Sequence, residues 1–295
     1  MNILIIGSGA REHAIASALH RSPQPVVIHC CGISVNPGIK QMSHRYWVGN
    51  TSDVEAITQL AIEWQITLAI IGPEAPLEKG LADALWAHSI PTIGPKKQLA
   101  QIETSKSFAR ELMKKYAVPG LPRFKAFNSM AGVSTFLQSL GEGNYVVKAD
   151  GLMGGKGVKV AGDHLASIAE AESFCESIFA QQQNVLIEEK LIGQEFSLMC
   201  FCDGNTIIPM PLVQDHKRAF EDDKGPNTGG MGSYSDADHS LPFLDENDVA
   251  EALAINIATL KALMAELQDR YIGILYGSFI ATRHGVQVIE FNARL

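Results

Sequence analysis

The sequence predicts a fold of the α/β class at the amino-terminal end and of the α+β class in the remainder. Apolar strands alternate with amphipathic helices through the first hundred residues, which is typical of a parallel sheet covered by helices on both faces. Pro119–Pro122 then reads as a hinge, after which a smaller set of strands and helices begins. Finally, a long helix from about Asn247 to Leu267 carries an apolar stripe between strand-rich segments.

The elements of the first domain follow one another in alternation. Strands are predicted at Asn2–Gly7, Val26–Cys31, Thr67–Ile71 and Pro91–Gly94. Helices are predicted at Arg11–Leu19, Asp53–Trp64 and Leu81–His88. In the second of these helices Asp53 is a suitable N-cap.

The rest of the chain divides into a helix and two further units. The helix is predicted at Ser105–Tyr116. The smaller unit has predicted elements at Arg123–Phe127, Ser129–Leu140, Tyr145–Ala149, Val158–Ala161, Leu165–Ala180 and Val185–Lys190. The last unit has predicted strands at Glu195–Cys202, Thr206–Pro209, Ile274–Thr282 and Val286–Ala293, with a long loop over Gln214–Leu241.

Composition restricts the function classes. Hydrophobic residues make up 46% and charged residues 19% of the 295, as in a globular protein, and the net charge of -8 disfavours general binding of nucleic acid or anionic membranes. Met1 leads directly into a strand rather than a signal peptide, and no apolar run is long enough to span a bilayer. Five cysteines without a disulfide or zinc spacing predict reduced thiols on buried strands and a cytoplasmic location.

Two turns of the first domain are candidate ligand sites. Gly7–His13 follows a strand and opens a helix, whose free N–H groups attract an anion. The second strand ends without the carboxylate that a dinucleotide site needs, so a phosphate or sugar phosphate is favoured over NAD, and a plain turn stays open. Glu74 follows the third strand, where open sheets bind ligands, although a simple proline turn fits equally well.

Two segments of the smaller unit suit a nucleotide. Lys148 ends a strand and a glycine-rich loop with Gly155 and Lys156 follows, so backbone N–H groups and two ammonium groups can hold phosphates. The spacing is not that of a Walker A loop, and a glycine-rich hairpin is the alternative. Glu188 and Glu195 could accept hydrogen bonds from adenine and ribose, although a solvated strand end is the more usual explanation of such carboxylates.

The last unit carries the remaining candidates. Gln214–Arg218 concentrates a carboxylate, an imidazole and two cations, and Gly225–Gly232 adds a flexible backbone, a combination more typical of a functional loop than of a solvated one. On the closing strand Glu290, Asn292 and Arg294 share one face, while Ile289, Phe291 and Ala293 are expected to pack on the other. Carboxylate and amide oxygens suit Mg²⁺, and an arginine suits a carboxylate or phosphate, although a polar edge strand would look the same.

The order of these segments resembles the glycinamide ribonucleotide synthetase (phosphoribosylamine–glycine ligase) family of the ATP-grasp superfamily, over essentially the whole chain. The resemblance implies a Rossmann-like pre-ATP-grasp domain over residues 1–103, a helical linker over 104–122, and a two-part ATP-grasp fold with a small subdomain at 123–193 and a large one at 194–295. The family continues after Asn292-Ala293-Arg294 into a further carboxy-terminal domain, which we expect to be absent from this chain.

The resemblance also implies the reaction and its residues. Glycine, ATP and 5-phosphoribosylamine would give glycinamide ribonucleotide in purine biosynthesis, with a monomer or dimer acting on small molecules alone. ATP would be surrounded by Lys106, Lys148, Gly155, Lys156, Glu188, Lys190, Leu191 and Glu195. Mg²⁺ or Mn²⁺ would be held by Glu290 and Asn292. The other substrates would lie near Gly9, Arg11, Glu12, Glu74, Asp215, Lys217, Arg218, Asn227 and Arg294.

Three alternatives stay open at this point. One is a shortened relative that binds nucleotide without turnover, and another is an ATP-grasp ligase for a different carboxylate and amine. A nicotinamide-dependent oxidoreductase is suggested only by Gly7 and Gly9, and the missing carboxylate after the second strand weighs against it.

Overall fold

The protein is described from a computed structural model that covers residues 1–152, 157–221 and 224–295, with backbone alone at 226 and 227. Its helices are α1 (Ala10–His20), α2 (Pro37–Met42), α3 (Val54–Glu63), α4 (Glu74–Glu78), α5 (Leu81–Ala87), α6 (Gln101–Thr104), α7 (Lys106–Lys115), α8 (Val133–Leu140), α9 (Ile168–Phe179) and α10 (Glu246–Leu267). Its strands are β1 (Asn2–Ile6), β2 (Val27–Gly32), β3 (Ser43–Val48), β4 (Leu68–Ile71), β5 (Thr92–Ile93), β6 (Phe124–Phe127), β7 (Tyr145–Ala149), β8 (Val158–Val160), β9 (Val185–Glu189), β10 (Gln194–Asp203), β11 (Ile207–Phe220), β12 (Lys224–Tyr234), β13 (Ile272–Thr282) and β14 (Gly285–Asn292).

The first sheet is parallel, with the order β3-β2-β1-β4-β5. Alternate residues of β1 enter different cores: Leu4 packs with Ile57 on one face, and Ile5 packs with Ile39 on the other. Both faces are therefore covered by helices, which confirms the predicted parallel-sheet class. The order reverses between β1 and β4, so the carboxyl ends of these two strands border the crevice in which open α/β sheets bind ligands.

The segment that forms α2 and β3 was not predicted, although its local signals are clear. Asn36 caps α2 by accepting hydrogen bonds from the backbone N–H groups of Gly38 and Ile39, at 3.1 and 3.2 Å. Pro37 occupies the first helical turn, where a missing N–H costs nothing. An Asn-Pro pair that begins a six-residue helix is easily taken for a turn.

The second sheet is small and antiparallel, in the order β6-β9-β7-β8. Val147 of β7 and Ile187 of β9 are fully buried in a separate apolar core that includes residues of α8 and α9. This unit thus has its own core and is joined to the rest of the molecule by α7 and by the segment between β9 and β10.

The third sheet is antiparallel, in the order β12-β11-β10-β13-β14, and α10 packs on one face of it. The predicted long loop over Gln214–Leu241 is wrong, because much of that segment belongs to the paired strands β11 and β12. Its polar, glycine-rich sequence lacks an apolar alternation, so the strands are specified by backbone pairing that the sequence pattern does not display.

A β-bulge interrupts the pairing of β13 with β14. Glu290 lies opposite Ser278, whereas Phe279 lies opposite Val288, so Ile289 is the extra residue. The expectation that Ile289 packs with Phe291 and Ala293 is therefore wrong: Val288 is fully buried and Ile289 is half-buried. The bulge also turns the Ile289 carbonyl toward the second sheet, with consequences for the site described below.

The cysteines and helices agree with most of the compositional expectations. All five thiols are free and buried, and burial raises the pKa of Cys31 to about 12. Four lie on strands, but Cys175 lies on α9, so the assignment of every thiol to a strand is wrong. Within the described ranges, no helix combines the length and apolar character needed to cross a bilayer.

Candidate active site

The first part of the site lies at the crevice between β1 and β4. The Glu12 carboxylate is nearly buried and accepts a hydrogen bond from the backbone N–H of Gly9 at 2.6 Å. It fills a notch beside Gly72, where an added Cβ would come within 2.6 Å of the Glu12 Cδ. Arg11 donates to the Gly72 carbonyl. The predicted residues Gly9, Arg11 and Glu12 therefore lie together, with the guanidinium of Arg11 left partly exposed at the crevice.

Arg294 joins this crevice to the third sheet. Its Nε lies 3.1 Å from Glu74 Oε2, and its Nη2 lies 3.0 Å from Glu103 Oε1. Nη2 also approaches the Oδ1 of Asn292 at 3.4 Å. The guanidinium of Arg294 is therefore held between carboxylates from α4 and α6 at the end of β14, while part of it stays accessible to a ligand.

Two arginines and three carboxylates meet at this junction. Glu12 and Glu103 are the most buried of the carboxylates, each with a side chain 6% exposed. Burial raises the pKa of Glu103 to about 7, against the opposing influence of Arg294 and the Ala293 N–H. Burial also lowers the pKa of Arg11, and the charge of Arg294 adds to that effect. The crevice is thus polar, partly open and rich in charge, which suits an anionic substrate that carries an amine.

The second part of the site lies between the small and third sheets. Glu188 of β9 pairs with Arg110 of α7 at 2.5 Å and with Lys148 of β7 at 2.6 Å. These three side chains are at most 7% exposed. Arg110 and Lys148 also donate to the Ile289 carbonyl at 2.7 and 3.0 Å, so the bulge in β14 completes the network.

Electrostatics keep this buried network charged. Burial alone would raise the pKa of Glu188, but the neighbouring charges and hydrogen bonds of Arg110 and Lys148 lower it to about 2. Glu188 is thus a carboxylate at every ordinary pH, flanked by two cations. The network thus fixes Lys148, near the end of β7, against the Ile289 carbonyl of β14.

Glu290 and Asn292 of β14 lie between the two parts of the site. Burial lowers the pKa of Lys106, and the negative charge of Glu290 is the largest opposing influence. Burial alone would also lower the pKa of Lys217, but Asp215, Tyr276, Glu290 and Glu195 together raise it. The charge of Glu290 thus acts on two ammonium groups. With the amide oxygen of Asn292 the Glu290 carboxylate provides two hard oxygen donors, which fit a divalent cation whose other ligands are phosphate oxygens.

The hairpin of β11 and β12 contributes the remaining candidates. Asp215 pairs with Lys217 at 3.5 Å, and Lys217 also lies near Glu290, so both belong to the site. Arg218 instead binds Asp163 of the small unit at 2.9 Å and the Gly225 carbonyl at 2.8 Å. The backbone of Asn227 pairs with Arg218, and its side chain lies outside the described part of the structure.

The proposed adenine-binding segment connects β9 to β10. The backbone N–H of Lys190 donates to the Asn144 carbonyl, and its ammonium donates to the Ala161 carbonyl at 2.7 Å. Leu191 is half-buried. Glu195 is exposed on β10, where it pairs with Ile280 of β13. The segment therefore runs along the junction of the two sheets. Gly155 and Lys156 lie outside the described residues.

Two residues of the site were missed by the sequence analysis, namely Arg110 and Glu103. On α7 Arg110 is buried beside Ala109 and Met113, so it is a cation within the apolar face of an amphipathic helix. Glu103 lies one turn before Lys106 and is buried on α6. A charged residue at helical spacing from apolar ones is the signal that could have found both, because such a group needs a partner when buried.

Comparison with known proteins gives one family over the whole chain. The family model described as "Phosphoribosylglycinamide synthetase, N domain" matches residues 1–103. The family model described as "Phosphoribosylglycinamide synthetase, ATP-grasp (A) domain" matches residues 104–295.

Curated relatives and solved structures agree with these matches. The chain is 46% identical over 294 residues to a phosphoribosylamine–glycine ligase of Methanocella arvoryzae, and 45% identical over 299 residues to that of Methanopyrus kandleri. Each match covers all of this chain and 67% or 66% of the relative, so the chain spans about two thirds of their length. The crystal structure of phosphoribosylamine–glycine ligase from Thermotoga maritima is 28% identical in sequence and superposes with a TM-score of 0.79. That match covers all of this chain and 69% of the Thermotoga chain.

A more distant structure shows the same fold. The crystal structure of the ADP complex of N5-carboxyaminoimidazole ribonucleotide synthetase is 18% identical in sequence, with a TM-score of 0.73. The match covers all of this chain and 70% of the synthetase chain.

Proposed function

We propose a function for this chain from the premise that it belongs to the phosphoribosylglycinamide synthetase family, a family of ATP-dependent carboxylate–amine ligases. The proposal is that this chain joins glycine to 5-phosphoribosylamine through glycyl phosphate, giving glycinamide ribonucleotide, ADP and phosphate. The observation that carries it is the position of β14. The charge of its Glu290 acts on Lys106 and Lys217, and Arg294, which follows its last residue Asn292, pairs with Glu74 at the crevice of the first sheet.

Two successive displacements make up the proposed reaction. A glycine carboxylate oxygen attacks the γ-phosphorus of ATP, the bond to the β,γ-bridging oxygen breaks, and ADP leaves. The amine of phosphoribosylamine then attacks the acyl carbon, the bond to the phosphate oxygen breaks, and the amine loses a proton. Both displacements build negative charge on oxygen, so fixed cations lower their barriers.

The proposed site residues divide among the three substrates. We assign the nucleotide to Lys106, Lys148, Gly155, Lys156, Glu188, Lys190, Leu191 and Glu195, and glycine with its acyl phosphate to Asp215, Lys217, Arg218, Asn227 and Arg294. We assign the phosphoribosyl amine to Gly9, Arg11, Glu12 and Glu74 at the crevice. A Mg²⁺ or Mn²⁺ ion held by Glu290 and Asn292 would neutralise phosphate charge when bound.

The domain division and cellular location belong to the same proposal. We place the amino-terminal domain at residues 1–103, a helical linker at 104–122, and the small and large ATP-grasp parts at 123–193 and 194–295. The three separate sheets and the buried α7 support this division. We propose that the protein acts in a reducing, cytoplasmic compartment, and its five free, buried thiols support that location.

A second candidate function is that of a nucleotide-binding protein without turnover. It is favoured by the network of Arg110, Lys148 and Glu188, whose buried ion pairs are complete without any residue of the crevice beside Arg294. The residues assigned to ATP and metal all lie within the chain, so this candidate predicts that ATP binds and stays intact.

Measurement of ADP release tests the two candidates against each other. Purified protein is incubated with ATP, Mg²⁺, glycine and freshly generated phosphoribosylamine, each omitted in turn, while calorimetry measures ATP binding. ADP release that needs every component supports the ligase. ATP binding without ADP release in the complete mixture contradicts the ligase and supports the second candidate. Lys148→Ala should weaken ATP binding in both cases, and Lys40→Ala, a change on the remote α2, serves as its control.

A further inference from the structure

Glu103 lies where the first domain meets the end of β14. Its Oε2 accepts a hydrogen bond from the Ala293 backbone N–H at 2.7 Å, and its Oε1 lies 3.0 Å from Arg294 Nη2. A single carboxylate thus binds the main chain of one residue and the side chain of the next. Since the carboxylate is almost completely buried, water competes little for these contacts.

The backbone pairing of β14 with β13 does not hold the Ala293 N–H in place. The last pair between β13 and β14 joins Tyr276 to Asn292, so Ala293 lies beyond the ladder. Its N–H is held by a side chain from α6 instead of a neighbouring strand. The direction in which Arg294 leaves the sheet therefore depends on Glu103.

The other carboxylate at Arg294 is less constrained. Glu74 contacts the Nε of Arg294 at 3.1 Å, but its side chain is 30% exposed against 6% for Glu103. An exposed ion pair contributes little, whereas a buried one restricts its partner strongly. Arg294 is thus anchored through Nη2 by Glu103, and its more accessible side faces the crevice that Glu74 borders.

We infer that Glu103 is a positioning residue that aims Arg294 at the carboxylate of a small α-amino acid, and that it serves this subsite rather than the nucleotide site. The inference rests on the proposed function, in which Arg294 binds glycine and its acyl phosphate. Glu103 itself does not touch the substrate. Its ion pair and hydrogen bond run to Arg294 and Ala293, and its charge is the smallest of the principal influences on the pKa of Lys106. The nucleotide side of the site is held separately by Arg110 and Glu188.

Glu103→Gln isolates the charged contact when it is assayed at about pH 8, above the Glu103 pKa of about 7, where the wild-type carboxylate is ionised. The glutamine oxygen still accepts from the Ala293 N–H, but the group facing Arg294 becomes a neutral donor. We expect the KM for glycine to rise about 10- to 100-fold, as for the loss of one charge-assisted hydrogen bond. The Kd for ATP should change less than about twofold, and kcat should fall less than KM rises. Glu103→Asp, which keeps the charge, should restore part of the glycine affinity.

The control is Glu111→Gln, the same chemical change at an exposed position on α7. It should leave both constants unchanged. An unaltered KM for glycine in Glu103→Gln overturns the inference. Equal losses of glycine and ATP binding also overturn it, because they indicate a general structural role.

A second readout does not depend on turnover. Phenylglyoxal modifies accessible guanidinium groups, and peptide mass spectrometry gives the rate at Arg294 specifically. We expect several-fold faster modification of Arg294 in Glu103→Gln than in wild type or Glu111→Gln. An unchanged rate overturns the inference even if the wild-type chain releases no ADP, in which case the failure of the proposed function is seen separately in the wild type.

Discussion

The two junctions that meet at β14 are built differently. Between the small and third sheets, Arg110, Lys148 and Glu188 are at most 7% exposed, and two cations surround one carboxylate. Between the first and third sheets, Arg294 is 19% exposed and lies between Glu74 and Glu103, with Arg11 and Glu12 nearby. The first junction is closed and the second is open.

This difference separates fixed positioning from substrate access. A buried network with complete pairing is confined to one arrangement, so it fixes the position of Lys148. A partly exposed network, such as Arg294 with Glu74, can exchange one of its contacts for a ligand at lower cost. The closed junction therefore agrees with the nucleotide site proposed above, and the open junction agrees with the sites proposed for the two smaller substrates.

The largest effect is expected from breaking the closed junction. Glu188→Gln leaves Arg110 and Lys148 as buried cations without their carboxylate, so the free energy of unfolding should fall by about 3–5 kcal/mol. Denaturation in urea measures it. Glu63→Gln is the matched control, because it removes the exposed pair with Arg45 and should cost at most about 1 kcal/mol. Equal losses for both variants would show that the buried ion pairs of the closed junction contribute no more to stability than an exposed pair.

Crowding the open junction should have the next largest effect. A methyl group at Gly72 would lie within 2.6 Å of the Glu12 side chain and displace it from the Gly9 N–H. We expect Gly72→Ala to lower the free energy of unfolding by about 3 kcal/mol, near the top of the range for overpacking. Gly229→Ala is the control, since open space surrounds that position. A loss no larger than the control's would show that Glu12 is not confined there.

The carboxylates of the two junctions should respond to pH in opposite directions. The pKa of Glu188 is lowered to about 2, so its stabilisation is present above the unfolded value and is lost as pH falls through 2. The pKa of Glu103 is raised to about 7, so its contribution is present below the unfolded value and is lost as pH rises through 7.

Stability curves of wild type and Glu103→Gln test this contrast. Between pH 5 and pH 8 the wild type should lose roughly 2 kcal/mol relative to the variant, because only the wild type must ionise a buried carboxylate. Thermal denaturation across this range, with urea titrations at both ends, measures the difference. Parallel curves would show that Glu103 ionises without penalty.

The smallest effect concerns a position outside both junctions. His29 is buried against Trp64, and neither of its ring nitrogens has a hydrogen-bond partner among the described residues. Burial lowers its pKa, followed by the charges of His44 and Arg45, so stability should fall as pH drops below the unfolded value. His29→Phe should raise stability by about 1 kcal/mol at pH 7, and by more at pH 5. Equal gains at both values would exclude protonation as the cause.

Sequence patterns predicted the parts of the fold that rest on local apolar periodicity. The strands β1, β2 and β4 were predicted because they are short apolar runs, and α10 because its stripe is long. The hairpin of β11 and β12 was missed, since polar and glycine-rich strands depend on pairing with neighbours. The bulge at Ile289 was missed for a related reason: its position is set by a partner strand distant in sequence.

The site shows the same division. Glu290, Asn292 and Arg294 were predicted as site residues from their alternation along one strand, and that role stays a prediction, although β14 does contain the first two. Arg110 was missed because its function depends on Glu188 and on the Ile289 carbonyl, which are 78 and 179 residues away. Such tertiary ion pairs leave only a weak local signal, a charge within an apolar helix face.

The most direct test of the account is the path of a glycine carboxylate oxygen. Glycine labelled with ¹⁸O in both carboxylate oxygens is incubated with the protein, ATP, Mg²⁺ and phosphoribosylamine, and the released phosphate is analysed by mass spectrometry. Attack of the carboxylate on the γ-phosphorus, followed by displacement at the acyl carbon, predicts one ¹⁸O in each phosphate released. Amide formation with unlabelled phosphate, or phosphate released with no amide formed, would contradict the account.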